Sequence, residues 1–465
     1  MEDASPWRSV DYVRYELSDF HGISRSKVLP SRLLLVNDEE ETDAPRDVFL
    51  YGGFLGMSTI SEPVMLPDLL VDGCCRNLRV RPSKDTFRVL PRSPGAKYST
   101  GRVLCELDWS GDGELLDAQP RTLARKLLGE LEDLNLQIFG CFEYEFTLGT
   151  LDAEGKFTPL FRDRPTFSTF AFSKLQDLVY DLDHELREIG VEVNTMNIEY
   201  GQGQLEITTR PLWGIEIADS AFTFKNYVKE FFARRGLHAT FMCRPLADPA
   251  GASNGGHFNH SIHKTTPPED SAGGGQGTTR NAFHSEGSAD LSALARMWIC
   301  GLLSHSRALQ ALAAPTVSCS NRVKPWSWAP TNASWGVENR TCALRAKCYG
   351  EKGTYLEWRA PSASANPYLV LAGAVAAGLD GVSKCIDVDS RSGLAESAYE
   401  KDDLPLLPGT LGESLACLED DAILCDRLGT RFVRWFLHVK REEIKDVKEK
   451  TPSLQWCQER YLDLL

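Results

Sequence analysis

From Pro120 to Leu136 the apolar residues of PRTLARKLLGELEDLNL recur at helical spacing. The pattern predicts an amphipathic helix opened by a proline, whose fixed φ and missing N–H suit a first helical turn. It then switches period. In CFEYEFTL (Cys141–Leu148) apolar and acidic residues alternate, as in a strand, where positions i and i+2 share a face. Phe142, Tyr144 and Phe146 are expected on one face, with Glu143 and Glu145 side by side on the other. Two such carboxylates repel, and burying them unpaired costs on the order of several kcal/mol.

Upstream lie the short strand signals VDYVRYELS, KVLPSRLLLV, DVFLYGGFLG and DTFRVLP, separated by turn residues in DFHG (19–22) and PRSPG (91–95). They predict a small β-rich domain. After about residue 119, α and β patterns alternate to the C-terminus. TTPPEDSAGGGQG (265–277) lacks periodicity and reads as an exposed mobile loop. ADLSALARMWICGLLSHSRALQAL reads as helix. ANPYLVLAGAVAAGLDGV, 18 residues with Asn366-Pro367 inside, reads as a buried helix, too short and broken to span a membrane.

A length of 465 residues suits two domains or one large elaborated one. The formal charge of −14 argues against a nucleic-acid partner, which calls for a basic face. No long apolar run appears, and MEDASPWRSV lacks the basic-then-apolar pattern of a secretory signal. A soluble cytoplasmic protein without a membrane partner is expected. Thirteen cysteines, an odd number without CxxC spacing, point to reduced thiols, not to a disulfide framework or structural zinc.

Isolated acids recur in apolar settings. Glu199 and Glu206 frame EYGQGQLE, where Gly201 and Gly203 let the backbone approach a ligand. His257 follows a Gly-rich turn in GASNGGHFNHSI, and Glu357 stands two before Arg359 in TYLEWRAP. With Glu143 and Glu145 these make five carboxylates and one imidazole, a donor set suited to Mg²⁺ or Mn²⁺ on nucleotide phosphates. Arg322, Arg340, Arg345 and Arg359 fall within 38 residues. Guanidinium forks match carboxylate and phosphate oxygens, so this cluster suits an acidic substrate and ATP. Each residue also has a plainer reading as a surface ion-pair partner or a hydrogen-bonded histidine. Periodicity does not join them into one constellation.

Their order along the chain carries more. FEYEF, EYGQGQLE, GGHFNHSI, ENRTCALR and LEWRAPSASANPYLVLAGAVAAGLDG resemble, in sequence, the signature blocks of the class I glutamine synthetase superfamily. FTFKNYVKEFFARRGLHATFMCRP is similar to the family's helix and strand before the histidine block. The resemblance covers nearly the whole chain. SDFHGISRSKVLP, DTFRVLP and EKGTYLEWRAPSASANPYLVLAGAVAAGLDG look most like the vertebrate-lens branch of the family.

The resemblance implies an α+β architecture, with an N-terminal β-grasp domain (1–110) and a glutamine-synthetase-type catalytic α/β domain (111–465). It implies a homo-oligomer, a dodecamer of two hexameric rings with sites between neighbouring subunits. Glu145, Glu199 and Glu206 would hold one cation, and Glu143, His257 and Glu357 a second. Arg322 and Arg359 would grip substrate carboxylate and phosphate, with Arg340 and Arg345 serving ATP. The implied reaction is ATP-dependent amide formation between a glutamate-type carboxylate and ammonia or an amine. Lens members are regarded as catalytically inactive structural or chaperone-like proteins linked to intermediate filament proteins, which gives the alternative expectation. Three departures bear on this: Trp328 stands where the family's flap has a glutamate, FLGMSTI (54–60) offers no acid, and Ala252-Ser253 replaces the usual Asn-Gly.

Overall fold

The computed structural model describes residues 6–33, 47–71, 74–93, 95–109, 113–247, 253–266, 278–286, 290–384, 393–447 and 452–465. Most of the loop expected at 265–277 lies outside them. Thr265 and Thr266 end a strand.

The N-terminal strand signals form a six-stranded sheet in the order Ser24–Pro30, Tyr12–Ser18, Thr100–Asp108, Asn77–Pro82, Val48–Tyr51, with Arg88–Val89 also paired to Thr100–Asp108. The DFHG turn joins the first two strands. Asp19 Oδ1 accepts the N–H groups of His21 (2.9 Å) and Ile23 (3.0 Å), and Gly22 takes the left-handed φ of +82° that an L side chain disfavours. Two strand signals shorten. In KVLPSRLLLV, Ser31–Leu33 coils into a 3₁₀ turn, and 34–36 lie outside the described residues. In DTFRVLP, the Thr86 hydroxyl bonds Ser83 O (2.7 Å), a local bond that competes with the ladder, and only Arg88–Val89 remains extended.

The helix expected after residue 119 runs Pro120–Glu132, with the Gln119 side chain accepting the Thr122 N–H (2.8 Å). It leads into Leu136–Leu151, the central strand of an eleven-stranded sheet. Gln204–Thr209 lies on one side of it and Gly256–Thr266 on the other, both antiparallel. Thr354–Trp358 and Leu344–Cys348 follow beyond Gly256–Thr266. The alternation holds: Phe142, Tyr144 and Phe146 are buried. Their rings stack inward, Phe142 on Phe258 at 4.9 Å and Tyr144 on Phe224 of helix Glu216–Ala233 at 5.8 Å. Glu143 and Glu145 face the other way and are only part-buried.

The small-residue run forms helix Pro367–Ser383, buried from Pro367 to Gly381 and capped by Asn366, whose side chain accepts the Tyr368 N–H (3.0 Å). No helix of the described residues is long and apolar enough to cross a membrane. This helix packs on Ala293–Ser304 through glycines: a Cβ on Gly301 would lie 2.1 Å from Ala377 O, and one on Gly381 2.1 Å from Met297 O. Backbone cannot yield as a side-chain tip can. Gly301→Ala is therefore expected to cost about 1–3 kcal/mol. A urea midpoint equal to that of the unaltered chain would show that the helices can separate freely.

Lys440, fully buried, ties the C-terminal helices to the turn between the first two strands. Its Nζ donates to His21 Nδ1 (2.8 Å) and Glu443 Oε2 (3.0 Å), while Tyr461 OH donates to Glu443 Oε1 (2.5 Å). Burial and the Lys440 charge hold His21 well below its ordinary range, so the ring is neutral and can accept. The ten cysteines whose side chains are described are free thiols.

Candidate active site

Strand register assembles the polar face. Across the central strand Glu145 stands opposite Glu206, and on its other side Glu143 stands opposite His257. Two residues on from His257, Asn259 faces Glu357, which in turn faces Arg345. Residues far apart in sequence thus become lateral neighbours. His257 Nδ1 lies 3.1 Å from Glu143 Oε1 and 3.7 Å from Glu357 Oε1. Among the described residues these three form the one group of potential ligand atoms within 4.8 Å of one another.

Glu145, Glu199 and Glu206 flank that group without closing as tightly. Gly255 N donates to Glu145 Oε2 (2.6 Å), as does Gln204 Nε2 (3.2 Å). A Cβ on Gly255 would sit 2.8 Å from His257 Nε2 and 3.3 Å from Glu145 Oε2, so only glycine leaves the space between the two groups open. Glu199, just past strand Val193–Ile198, is oriented by Asn197 Nδ2 (3.1 Å) and the Tyr200 N–H (3.0 Å).

The electrostatics are strongly uneven. Burial works to raise Glu143, but the His257 hydrogen bond and the charges of His257 and Arg359 outweigh it and hold it at about 2. For Glu206 burial and the charges of Glu143, Glu145 and Glu199 all act upward, pushing it to about 10. Glu199 is raised by burial and Glu145. Glu357 is lowered: burial opposes ionisation, and the charges of Arg359 and His257 overcome it. One side of the face is neutralised by protein cations. The other carries surplus negative charge.

Arg322, Arg345 and Arg359 are buried here, whereas Arg340 is exposed in the turn before Leu344–Cys348. Arg322 donates to Ser253 Oγ (3.0 Å) and Arg359 O (2.9 Å), with Nη2 3.5 Å from His257 Nε2. Arg345 Nη1 donates to Glu357 Oε2 (3.0 Å), and its Nη2 pairs with Glu338. Arg359 pairs with Glu357 and donates from Nη2 to Trp328 O (3.2 Å). The Nε atoms of all three are buried without a hydrogen-bond partner. The three guanidinium groups give this face a fixed cationic rim of the kind that matches carboxylate and phosphate oxygens.

A cavity of about 760 Å³ opens beside Glu143, lined by Trp213, Asn259, Ser261, Lys347 and Tyr355 among others. Lys347 Nζ donates to Tyr355 OH (2.9 Å) and lies 4.0 Å from Glu357 Oε2. These residues carry no motif of their own in the sequence. One signal is present: His257, Asn259 and Ser261 alternate on one face of the strand that carries the histidine.

The family description "Glutamine synthetase, catalytic domain" matches residues 117–459. The chain belongs to this family. Lengsin of Rattus norvegicus is 32% identical over 445 residues, 94% of this chain and 73% of that protein. Glutamine synthetase of Methanococcus maripaludis is 27% identical, covering 98% of this chain and 97% of the other. A solved structure described as a novel glutamine synthase homolog superposes over the whole of both chains with a TM-score of 0.79 and 26% identity.

Within the glutamine synthetase family frame, two of the three departures lie among the described residues. Trp328 is 60% exposed and Trp326, two residues earlier, 70%. Both have left-handed backbones, at φ +62° and +64°. Phe54–Gly56 of FLGMSTI end the buried 3₁₀ turn Gly52–Gly56, and the rest is loop. Ser253 bonds Arg322, while Ala252 lies outside the described residues.

Proposed function

We propose that this chain is an ATP-dependent carboxylate–amine ligase of glutamate–ammonia ligase type. One observation carries the reading. Glu143, His257 and Glu357 converge within 4.8 Å beside buried guanidinium groups whose Nε atoms have no partner. Arg345, Arg359 and His257 already balance Glu143 and Glu357, while Glu145, Glu199 and Glu206 have no such protein cations beside them among the described residues and carry the charge that a bound cation would offset.

The donor set fits Mg²⁺ or Mn²⁺ with ATP. Glu143, His257 and Glu357 would hold one ion; Glu145, Glu199 and Glu206, the last pushed to about 10 by burial and by the charges of Glu143, Glu145 and Glu199, would hold another. Bound cations would neutralise phosphate charge and make the γ-phosphoryl group electrophilic. The chain's own residues do the rest. The cavity beside Glu143 accepts the nucleotide, with Lys347, Arg345 and exposed Arg340 toward its phosphates. Arg322 and Arg359 orient the substrate carboxylate for attack on the γ-phosphorus, and their fixed positions stabilise the charge that develops. An amine then displaces phosphate from the acyl phosphate.

The β-grasp assignment of residues 1–110, the catalytic domain at 111–465, a dodecamer of two hexameric rings and a cytoplasmic location complete the proposal. Titration calorimetry with Mg²⁺–ATP, then phosphate release with glutamate and amines, tests it. Saturable nucleotide binding and amine-dependent phosphate release are expected. No binding at millimolar ATP would overturn it. The second reading, a catalytically silent structural or chaperone-like assembly with intermediate filament partners, is favoured by Trp328 in the acid's place and by the likeness to lengsins. Nucleotide binding without amine-dependent turnover would select it.

A further inference from the structure

The flap NRVKPWSWA (321–329) is built as an aromatic wall over a positively charged floor. It is fixed at several points. Ser327 Oγ donates to Arg322 O (2.7 Å), Arg359 Nη2 to Trp328 O (3.2 Å), and Tyr399 OH to Ala329 O (3.0 Å). The Trp326 ring leans on the Tyr399 ring at 5.2 Å, and the two indoles are among the most exposed large apolar side chains described. Their left-handed φ values are costly for bulky residues, and such conformations concentrate where a site needs the side chain aimed.

Three cations gather at the flap, of which Arg359 is paired with Glu357. Arg322 and Arg359 lie below, and Lys324 is in the flap itself, its Nζ on Asn321 Oδ1 (3.2 Å). Tyr399 is in the same field: burial raises its hydroxyl, and the charges of Arg359 and Arg322 draw it back. Residues 321–332 contain no Asp or Glu. The flap itself offers no carboxylate to take a proton from an arriving ammonium ion. The exposed indole faces, in contrast, favour a flat apolar body.

Resting on the ligase reading, we propose that the nitrogen acceptor is an arylamine of the aniline class, stacked on Trp326 and Trp328. Such an amine is already unprotonated at neutral pH, so no base is needed before attack. Its nitrogen lone pair attacks the acyl carbon, and the C–N bond forms as the C–O bond to phosphate breaks. Phosphate leaves with that electron pair and takes up the proton that the nitrogen sheds.

The test uses the full chain with Mg²⁺, ATP and glutamate. Ammonia, methylamine and aniline are compared by phosphate release, and the amide product is weighed by mass spectrometry. Aniline is expected to show a kcat/KM at least tenfold above that of ammonia. Trp326→Ala and Trp328→Ala should each lower the aniline-to-ammonia ratio at least tenfold, with Phe in place of Trp restoring part of it. Aniline should also quench tryptophan fluorescence in the unaltered chain and fail to do so in the double Ala variant. A preference for ammonia or methylamine, or Ala variants that change oligomeric state but not the ratio, overturns this proposal and leaves the ligase reading standing. Absence of ADP formation with every amine overturns both.

Discussion

Glu357→Ala is expected to abolish Mg²⁺-supported ATP turnover and to lower stability by about 3–5 kcal/mol, the cost of leaving buried charge unpaired. Glu357 is 1% exposed, and its carboxylate takes Arg345 Nη1 at 3.0 Å and the Arg359 guanidinium, with His257 Nδ1 3.7 Å away. Removing it strands two buried guanidinium groups beside an imidazole. Glu357→Gln keeps the shape and one acceptor but not the charge, and should retain much of the fold while lowering kcat by about 10²–10³. Urea midpoints and phosphate release separate the two effects. A Glu357→Ala protein that melted and turned over normally would mean that the arginines are held by something other than this carboxylate.

The second large effect is on pH dependence. Without a divalent cation, Glu206 binds its proton up to about pH 10, against an ordinary 4.5. Between those values the folded chain holds a proton that the unfolded chain has released, so this group's contribution to stability falls as pH rises through that window. Glu143 acts in the other direction but elsewhere: depressed to about 2, its contribution is lost only as pH falls below 4.5. The difference in Tm between the unaltered chain and Glu206→Gln, followed from about pH 5 to 9, should therefore slope downward for the unaltered chain. Saturating Mn²⁺ should remove the slope. Calorimetry at pH 7 in two buffers of different ionisation enthalpy should register about one proton released per chain on Mn²⁺ binding, and none for Glu206→Gln. A pH-independent difference would place the surplus charge on another carboxylate.

The central strand was legible because its two faces differ chemically at every step, so period 2 shows in eight letters. The buried helix at 367–383 was legible from its run of small apolar residues and its length, while the capping role of Asn366 was not. The pairing of Glu143 with His257, or of Glu145 with Glu206, was not. Register is set by turns and by core packing from residues some 60 to 110 positions away, and local pattern carries no trace of it. The order of the motif blocks supplied through resemblance what periodicity lacked. Arg340 marks the limit of that route: a motif position gives a residue type, while its exposed place in this chain comes from the turn before Leu344. The cavity residues Asn259 and Ser261 were missed for a simpler reason. Neither side chain titrates, so neither stands out as chemistry until the strand that carries His257 is known to border a cavity.

The division of the central strand into an aromatic face and an acidic face also bears on how such a chain ages. Stacked rings of Phe142, Tyr144, Phe224 and Phe258 supply cohesion, while Glu145 and Glu206 opposite one another subtract from it. Losing either carboxylate relieves repulsion and leaves the rings untouched. In a duplicate relieved of chemical duty, loss of Glu145 or Glu206 would therefore strengthen the fold, whereas loss of Glu357, paired with two arginines, would weaken it. The architecture outlives the reaction by construction, and a lineage can retire its enzyme while keeping every wall of the building.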